Sequence, residues 1–272
     1  MNYRPTSPYS IPPVVKNLIL INVVMLVATW ALKPTGIDLT EKLALYYPGS
    51  PYFRPYQLLT HMFMHGSIGH LFFNMFALYM FGKVLEMVWG PKRFLVYFLV
   101  TGLGAAALHL FVNYLELSHV AKTVAAFANT PSPELLTSFV KSNLGNNAAP
   151  WVHDFINSWS ESPNNPAFIQ QGTDIVQKIF EERMNVPTVG ASGAVFGILL
   201  AFGVLFPNTE LMLLFPPVPI KAKFFVIGYG LVELFLGFSG AQPGVAHFAH
   251  LGGMLFGYLL LRYWNVNSKN FY

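Results

Sequence analysis

Six long apolar stretches constrain this chain more than any other feature, because lipid is the solvent that suits them. They run from about Val14 to Leu32, His70 to Trp89, Arg93 to Tyr114, Gly190 to Phe206, Ala222 to Phe238 and Val245 to Trp264. A hydrocarbon core roughly 30 Å thick is crossed by about 20 mainly apolar residues in a helix. The fourth stretch is the shortest. Lipid offers backbone groups no partner, so a span must bond internally, and runs this continuous lack the alternation of barrel strands. Charge agrees: 10% of the residues are charged, against roughly 25% in an ordinary soluble domain. That is too few to coat a soluble protein of this size. The expectation is an all-α integral membrane protein with six transmembrane helices. With 54% hydrophobic residues the chain is no candidate for disorder. It has no cysteine, which excludes a disulfide scaffold, a thiolate metal site and a thiol nucleophile. A net charge of +4 without a Lys/Arg run gives nucleic acid no footprint.

The few charges are sorted along the chain. With six spans and the N-terminus inside, the inner segments hold Arg4, Lys16, Lys83, Lys92, Arg93, Lys221, Lys223, Arg262 and Lys269 against only Glu86 and Glu210. This is the positive-inside pattern, and it predicts cytoplasmic N- and C-termini. The first run lacks a cleavage site and reads as a retained helix. The segment from Pro34 to Gly69 is semi-apolar, with Tyr46, Tyr47, Tyr52, Phe53, Tyr56 and Phe63, and is expected to lie partly in the interface. Residues 116–187 form a long extracytoplasmic insertion between the third and fourth helices. Helical patterns are expected there over Pro133–Leu144 and Phe168–Met184, the second with Ile169, Ile175, Val176, Ile179 and Phe180 near one face.

Polar groups inside a membrane are costly and mark function. His70 and Asn74 open the second helix one turn apart, and Ser192 opens the fourth within Gly190-Ala-Ser-Gly193. His247 and His250 lie near the start of the sixth. Fourteen residues separate Ser192 from Phe206, His250 from Trp264 and Asn74 from Val88. Each polar group is then about 21 Å from the inner boundary. Serine, histidine and asparagine share one level. Gly193, Gly197 and Ala201 on the fourth helix, and Ala249, Gly253 and Gly257 on the sixth, recur at four-residue spacing and let two backbones approach closely. A serine hydroxyl beside a histidine nitrogen is an activated nucleophile. His70, Asn74 and the free N–H groups opening the fourth helix are then donors for an oxyanion.

Taken singly, each residue has a plainer reading. Gly-x-Ser-Gly is common packing between membrane helices, a lone histidine is often structural, and Asn74 is interhelical glue. Their common depth is what points to catalysis. Glu233 lies about 16 Å from the inner face, short of the serine level. It reads as a neutral or hydrogen-bonded group between helices, with orienting a histidine the lesser alternative. His247 is an alternative base one turn above His250. His61, His65 and His109 read as structural, and no metal or cofactor is expected. A non-enzymatic binder of membrane segments and a small channel are the competing readings. The channel requires polar residues continuing inward, where Val195, Ile198, Leu199, Met254 and Leu255 are apolar.

These residues resemble the rhomboid family of intramembrane serine proteases. The resemblance rests on Thr60-His-Met-Phe-Met-His-Gly66 leading into His70-Leu-Phe-Phe-Asn74, then Gly82, Glu86 and Gly90. It continues with Gly190-Ala-Ser-Gly-Ala194 and Ala249-His-Leu-Gly-Gly253-Met-Leu-Phe-Gly257. It implies a six-helix bundle with Ser192 as nucleophile and His250 as base, a dyad with no obligatory third acid. It further implies His70 and Asn74 as oxyanion residues and Phe196 packing on the catalytic histidine. Tyr56-Gln57 stands where the family often has Trp-Arg. Expected partners are transmembrane protein substrates within a lipid bilayer, admitted laterally past the fifth helix and a hinge at 239–246. The expected location is a bacterial cytoplasmic membrane.

Overall fold

The computed structural model describes residues 10–212, 217–239 and 245–267. The expected hinge lies largely outside the described residues, since 240–244 are not among them. Helix α1 covers Pro13–Leu32, α2 Ile68–Trp89 and α3 Pro91–Asn129. Helices α4, α5 and α6 follow at Pro133–Leu144, Pro150–Glu161 and Pro166–Met184. Helix α7 covers Ser192–Leu205, α8 Ala222–Ser239 and α9 His247–Asn267. The chain is thus an all-α membrane protein. The one sheet among the described residues is a short ribbon, β1 Glu210–Met212 antiparallel to β2 Pro219–Lys221. By length and hydropathy, α1, α2, α3 and α8 each suffice to cross a membrane. Helix α7 is apolar but only 14 residues long.

Contacts divide the chain into two compact units. The first comprises residues 1–45, 54–111 and 187–272. Its core draws on Val15 and Leu18 of α1, Leu78 and Leu85 of α2, Phe94, Tyr97 and Phe98 of α3, and Val195 and Ile198 of α7. The start of α1 shows how this unit is tied together. Pro12 and Pro13 have no N–H, so only Val14 and Val15 are left without an intrahelical acceptor. Both donate to the buried Glu86 carboxylate of α2, at 3.0 and 2.8 Å.

Small residues set the closest helix approaches in this unit. A methyl group on Gly253 of α9 would overlap the Gly193 carbonyl of α7. One on Gly193 would strike Ala105 of α3, and one on Gly197 would come within 2.6 Å of Thr101. Tyr97 donates its hydroxyl to the Gly197 carbonyl at 2.9 Å, and a methyl on Gly257 would meet that same hydroxyl. Three backbones therefore meet around the start of α7.

The second unit comprises residues 46–53 and 112–186. Apolar residues of α3, α4, α5 and α6 bury one another there, including Phe127, Leu136, Phe139, Phe155, Trp159 and Val176. The expected helices near 133–144 and 168–184 are present, and Ser132 and Asn165 cap them. Two features differ from expectation. Helix α3 does not stop near Tyr114 but runs on to Asn129, because nothing from 115 to 129 breaks a helix. Helix α5 was not expected, although Val152, Phe155, Ile156 and Trp159 carry the i, i+3, i+4, i+7 spacing. Its Ser, Asn and His residues mask that signal in a reading by composition.

Candidate active site

The stretch that delivers Ser192 is pinned on several sides. Leu45 and Thr188 exchange backbone hydrogen bonds at 2.9 and 2.8 Å. The Thr188 hydroxyl lies 2.8 Å from His109 Nε2, and the Gly190 N–H donates to the His61 carbonyl at 2.9 Å. His61 is held in turn through Nδ1, 2.8 Å from the Gln57 carbonyl. Gln57 is fully buried and ties the loop together, accepting from the Arg54 N–H and donating to the Lys42 carbonyl. That is the work Gln57 does here. Burial pulls His61 down to about 4. His65 is likewise at about 4, through burial and then the neighbouring His70. Both loop histidines are neutral at ordinary pH, in keeping with a structural role.

Helix α7 opens at Ser192 without a side-chain cap. The first amide bonded within it belongs to Val195, which donates to the Ala191 carbonyl. The preceding N–H groups have no acceptor inside the helix. Gly190 turns the chain at φ +128°, a conformation that L side chains rarely adopt.

Ser192 Oγ lies 2.9 Å from His250 Nε2. Phe196, one turn along α7, stacks on the His250 ring with centroids 4.2 Å apart and planes within 7°. Tyr229 of α8 also packs on Phe196, tilted by 56° at 4.8 Å between centroids. The structure thus brings Ser192, His250 and Phe196 together across α7 and α9. Gly193 and Gly253 are the small positions where α7 and α9 close on each other, while Gly190 makes room for the His70 ring and Gly257 for Tyr97 of α3.

His70 and Asn74 hold their places on α2. The Ser67 hydroxyl caps that helix by accepting from the His70 N–H at 3.1 Å. A methyl on Gly190 would lie 2.8 Å from the His70 ring and 3.5 Å from Ser192 Oγ, so ring and hydroxyl flank the same small volume. Asn74 is buried and donates its amide to the His70 carbonyl at 3.0 Å, so it faces its own helix rather than Ser192.

The residue the sequence undervalued is Glu233. Its Oε2 lies 2.8 Å from His250 Nδ1 and 2.7 Å from His247 Nδ1. All three side chains are buried. Each offers one donor atom within 4.8 Å of the others, the separation a metal ion would need. In this structure the distances are those of two ring N–H groups donating to one oxygen. A count of helical rise placed the Glu233 backbone short of the serine level. It says nothing of where a long side chain reaches or which way it faces, so it carried no signal for this contact.

Comparison with known proteins matches residues 52–129 and 169–264 to the Rhomboid domain. "RHOMBOID-like protein 12, mitochondrial" of Arabidopsis thaliana is 26% identical over 202 residues, covering 74% of this chain and 44% of that protein. "Uncharacterized rhomboid protein P4H10.10, mitochondrial" of Schizosaccharomyces pombe is 27% identical over 227 residues, covering 79% of this chain and 53% of that protein. This chain therefore spans about half the length of these relatives. Both names are mitochondrial, and the bacterial cytoplasmic membrane expected from the sequence finds no support in them. A match over residues 52–129 and 169–264, well over half of the chain and including the turn that carries Ser192 and most of α9, places the chain in the rhomboid family.

Proposed function

We propose that this protein is an intramembrane serine endopeptidase that cuts membrane-protein substrates in or near their transmembrane segments. The observation that carries the reading is the 2.9 Å contact between Ser192 Oγ and His250 Nε2. A serine hydroxyl is a weak nucleophile until a base takes its proton. In the proposed reaction Ser192 Oγ attacks the scissile carbonyl while His250 Nε2 accepts the proton. His250 then returns it to the leaving amine, and water repeats the cycle on the acyl-enzyme. The free N–H groups opening α7, with the His70 ring across from Gly190, are the proposed donors to the oxyanion. Asn74 joins them by turning its amide away from the His70 carbonyl. Each good donor lowers the barrier by about 3–4 kcal/mol.

We further propose six spans, with α7 and α9 as the fourth and sixth, both termini on the positively charged side, and residues 116–187 as an insertion in the single rhomboid domain. A helical substrate must unwind locally, because its carbonyls are otherwise bonded. Gly or Pro near the cleaved bond favours that.

The test is cleavage of a transmembrane reporter by the protein reconstituted in liposomes. Ser192→Ala and His250→Ala are each expected to lose at least about 10³-fold in kcat. Cleavage near the wild-type rate by either variant overturns the assignment.

A further inference from the structure

We propose that Glu233 is a positioning residue for His250, so that the site works as a Ser192–His250–Glu233 triad in which His247 holds the carboxylate. This rests on the reading of Ser192 and His250 as nucleophile and base, and it adds the third acid that a dyad lacks.

The argument begins with a proton count. A neutral imidazole carries one N–H and one lone pair. For His250 Nε2 to accept the Ser192 proton, its lone pair must point at Oγ, which puts the N–H on Nδ1. The atom facing Nδ1, 2.8 Å away, is Glu233 Oε2. A carboxylate only accepts, so it selects the tautomer the reaction requires and fixes the plane of the ring. Phe196, stacked on one ring face, fixes the remaining freedom. When the ring takes the serine proton, its new positive charge forms beside a carboxylate already in place.

A buried carboxylate needs donors of its own. His247 lies three residues before His250, on the same face of α9, and brings Nδ1 to 2.7 Å from the same oxygen. Its other nitrogen, Nε2, is buried without a hydrogen-bond partner among the described residues. Ser192 Oγ lies against His250 Nε2 instead, which favours His250 over His247 as the base. Tyr229 and Glu233, one turn apart on α8, reach Phe196 and the histidines respectively. If α8 swings aside to admit a substrate it takes the carboxylate with it, and His250 is oriented only when α8 is seated.

The competing explanation is a clasp that merely joins α8 to α9. Two readouts on the full-length protein separate them: the rate at which a fluorophosphonate labels Ser192, and kcat and KM for the transmembrane reporter. Glu233→Gln keeps the shape but removes the charge and presents an amide that favours the wrong tautomer. It is expected to slow labelling and kcat by about 10²-fold or more, with KM and the melting temperature little changed. Glu233→Asp keeps the carboxylate but draws it back by one carbon from His250 Nδ1, and is expected to retain between about a tenth and about a third of the wild-type rate. Wild-type labelling and kcat in Glu233→Gln overturn the triad. Should that variant fail to fold, Glu233→Asp decides: a lowered kcat at constant KM supports the triad, and an unchanged kcat with a lowered melting temperature leaves only the clasp. The two proposals fail separately. A wild-type protein that cuts no reporter, yet is labelled at Ser192 in a Glu233-dependent way, loses the protease reading and keeps the triad. Full cleavage by Glu233→Gln does the reverse.

Discussion

Gly190 is the residue on which the nucleophile's geometry turns. Its φ of +128° is a backbone state an L side chain reaches only under strain, and a methyl there would press on the His70 ring at 2.8 Å. The two effects act together, because relieving the contact means moving His70 or the turn that carries Ser192. Gly190→Ala is expected to cost about 1–3 kcal/mol of stability. It is also expected to slow labelling of Ser192 by about 10²-fold, the order of loss that follows from a displacement near 1 Å. Thermal melting and labelling kinetics on one preparation check both, and wild-type labelling in that variant would remove Gly190 from the working geometry. At this scale the sequence was readable where chemistry depends on depth along a helix. Ser192 and His250 share a level, and a count of residues finds it. Glu233 was not readable in that way, because its contact depends on side-chain reach and on which face of α8 meets α9. Two ring nitrogens on one oxygen are a fact of packing, without a trace in spacing.

Among the elements, α1 shows how a charge can serve a helix rather than a reaction. Its N-terminus has two prolines and two free amides, and the Glu86 carboxylate takes both. A negative group at that position also suits the helix dipole. Removing it leaves the buried Val15 N–H and the part-buried Val14 N–H without this partner, and a buried orphan costs about 1–3 kcal/mol. Glu86→Ala is therefore expected to destabilise the protein by about 2–4 kcal/mol, and Glu86→Gln by less, since its amide oxygen still accepts. Unfolding in mixed micelles with increasing denaturing detergent measures this, and a Glu86→Ala midpoint equal to that of the wild type would refute it. The resemblance had placed Glu86 in a motif with Gly82 and Gly90 without a task. Its task is a contact between residues more than 70 positions apart, which no local pattern reveals. The helices themselves were legible wherever hydropathy or periodicity is strong. Helix α3 was cut short because its last turns are less apolar than its first, although polarity alone does not end a helix.

For the whole molecule, the deciding quantity is how the few charges are distributed. The sequence assigns nine basic and two acidic residues to the inner segments. One of those acids, Glu86, is buried against the amides of α1, so it leaves the inner surface still more positive. Arg93 lies over the Trp264 ring at 4.2 Å, an amphipathic pairing suited to a headgroup boundary. If this charge bias sets the orientation, Thr35 belongs to one side of the membrane, and Lys92 and Thr209 to the other. All three are exposed, and the chain has no cysteine of its own, so a single introduced thiol reports without background. In sealed vesicles of one orientation, Lys92→Cys and Thr209→Cys are expected to react with a membrane-impermeant maleimide from the same side. Thr35→Cys is expected to react only from the opposite side. Lys92 and Thr209 on different sides would break the count of spans between them, and with it the common depth of Ser192 and His250. All three on one side would mean that α2 does not cross, and the six-span reading would fall with the orientation.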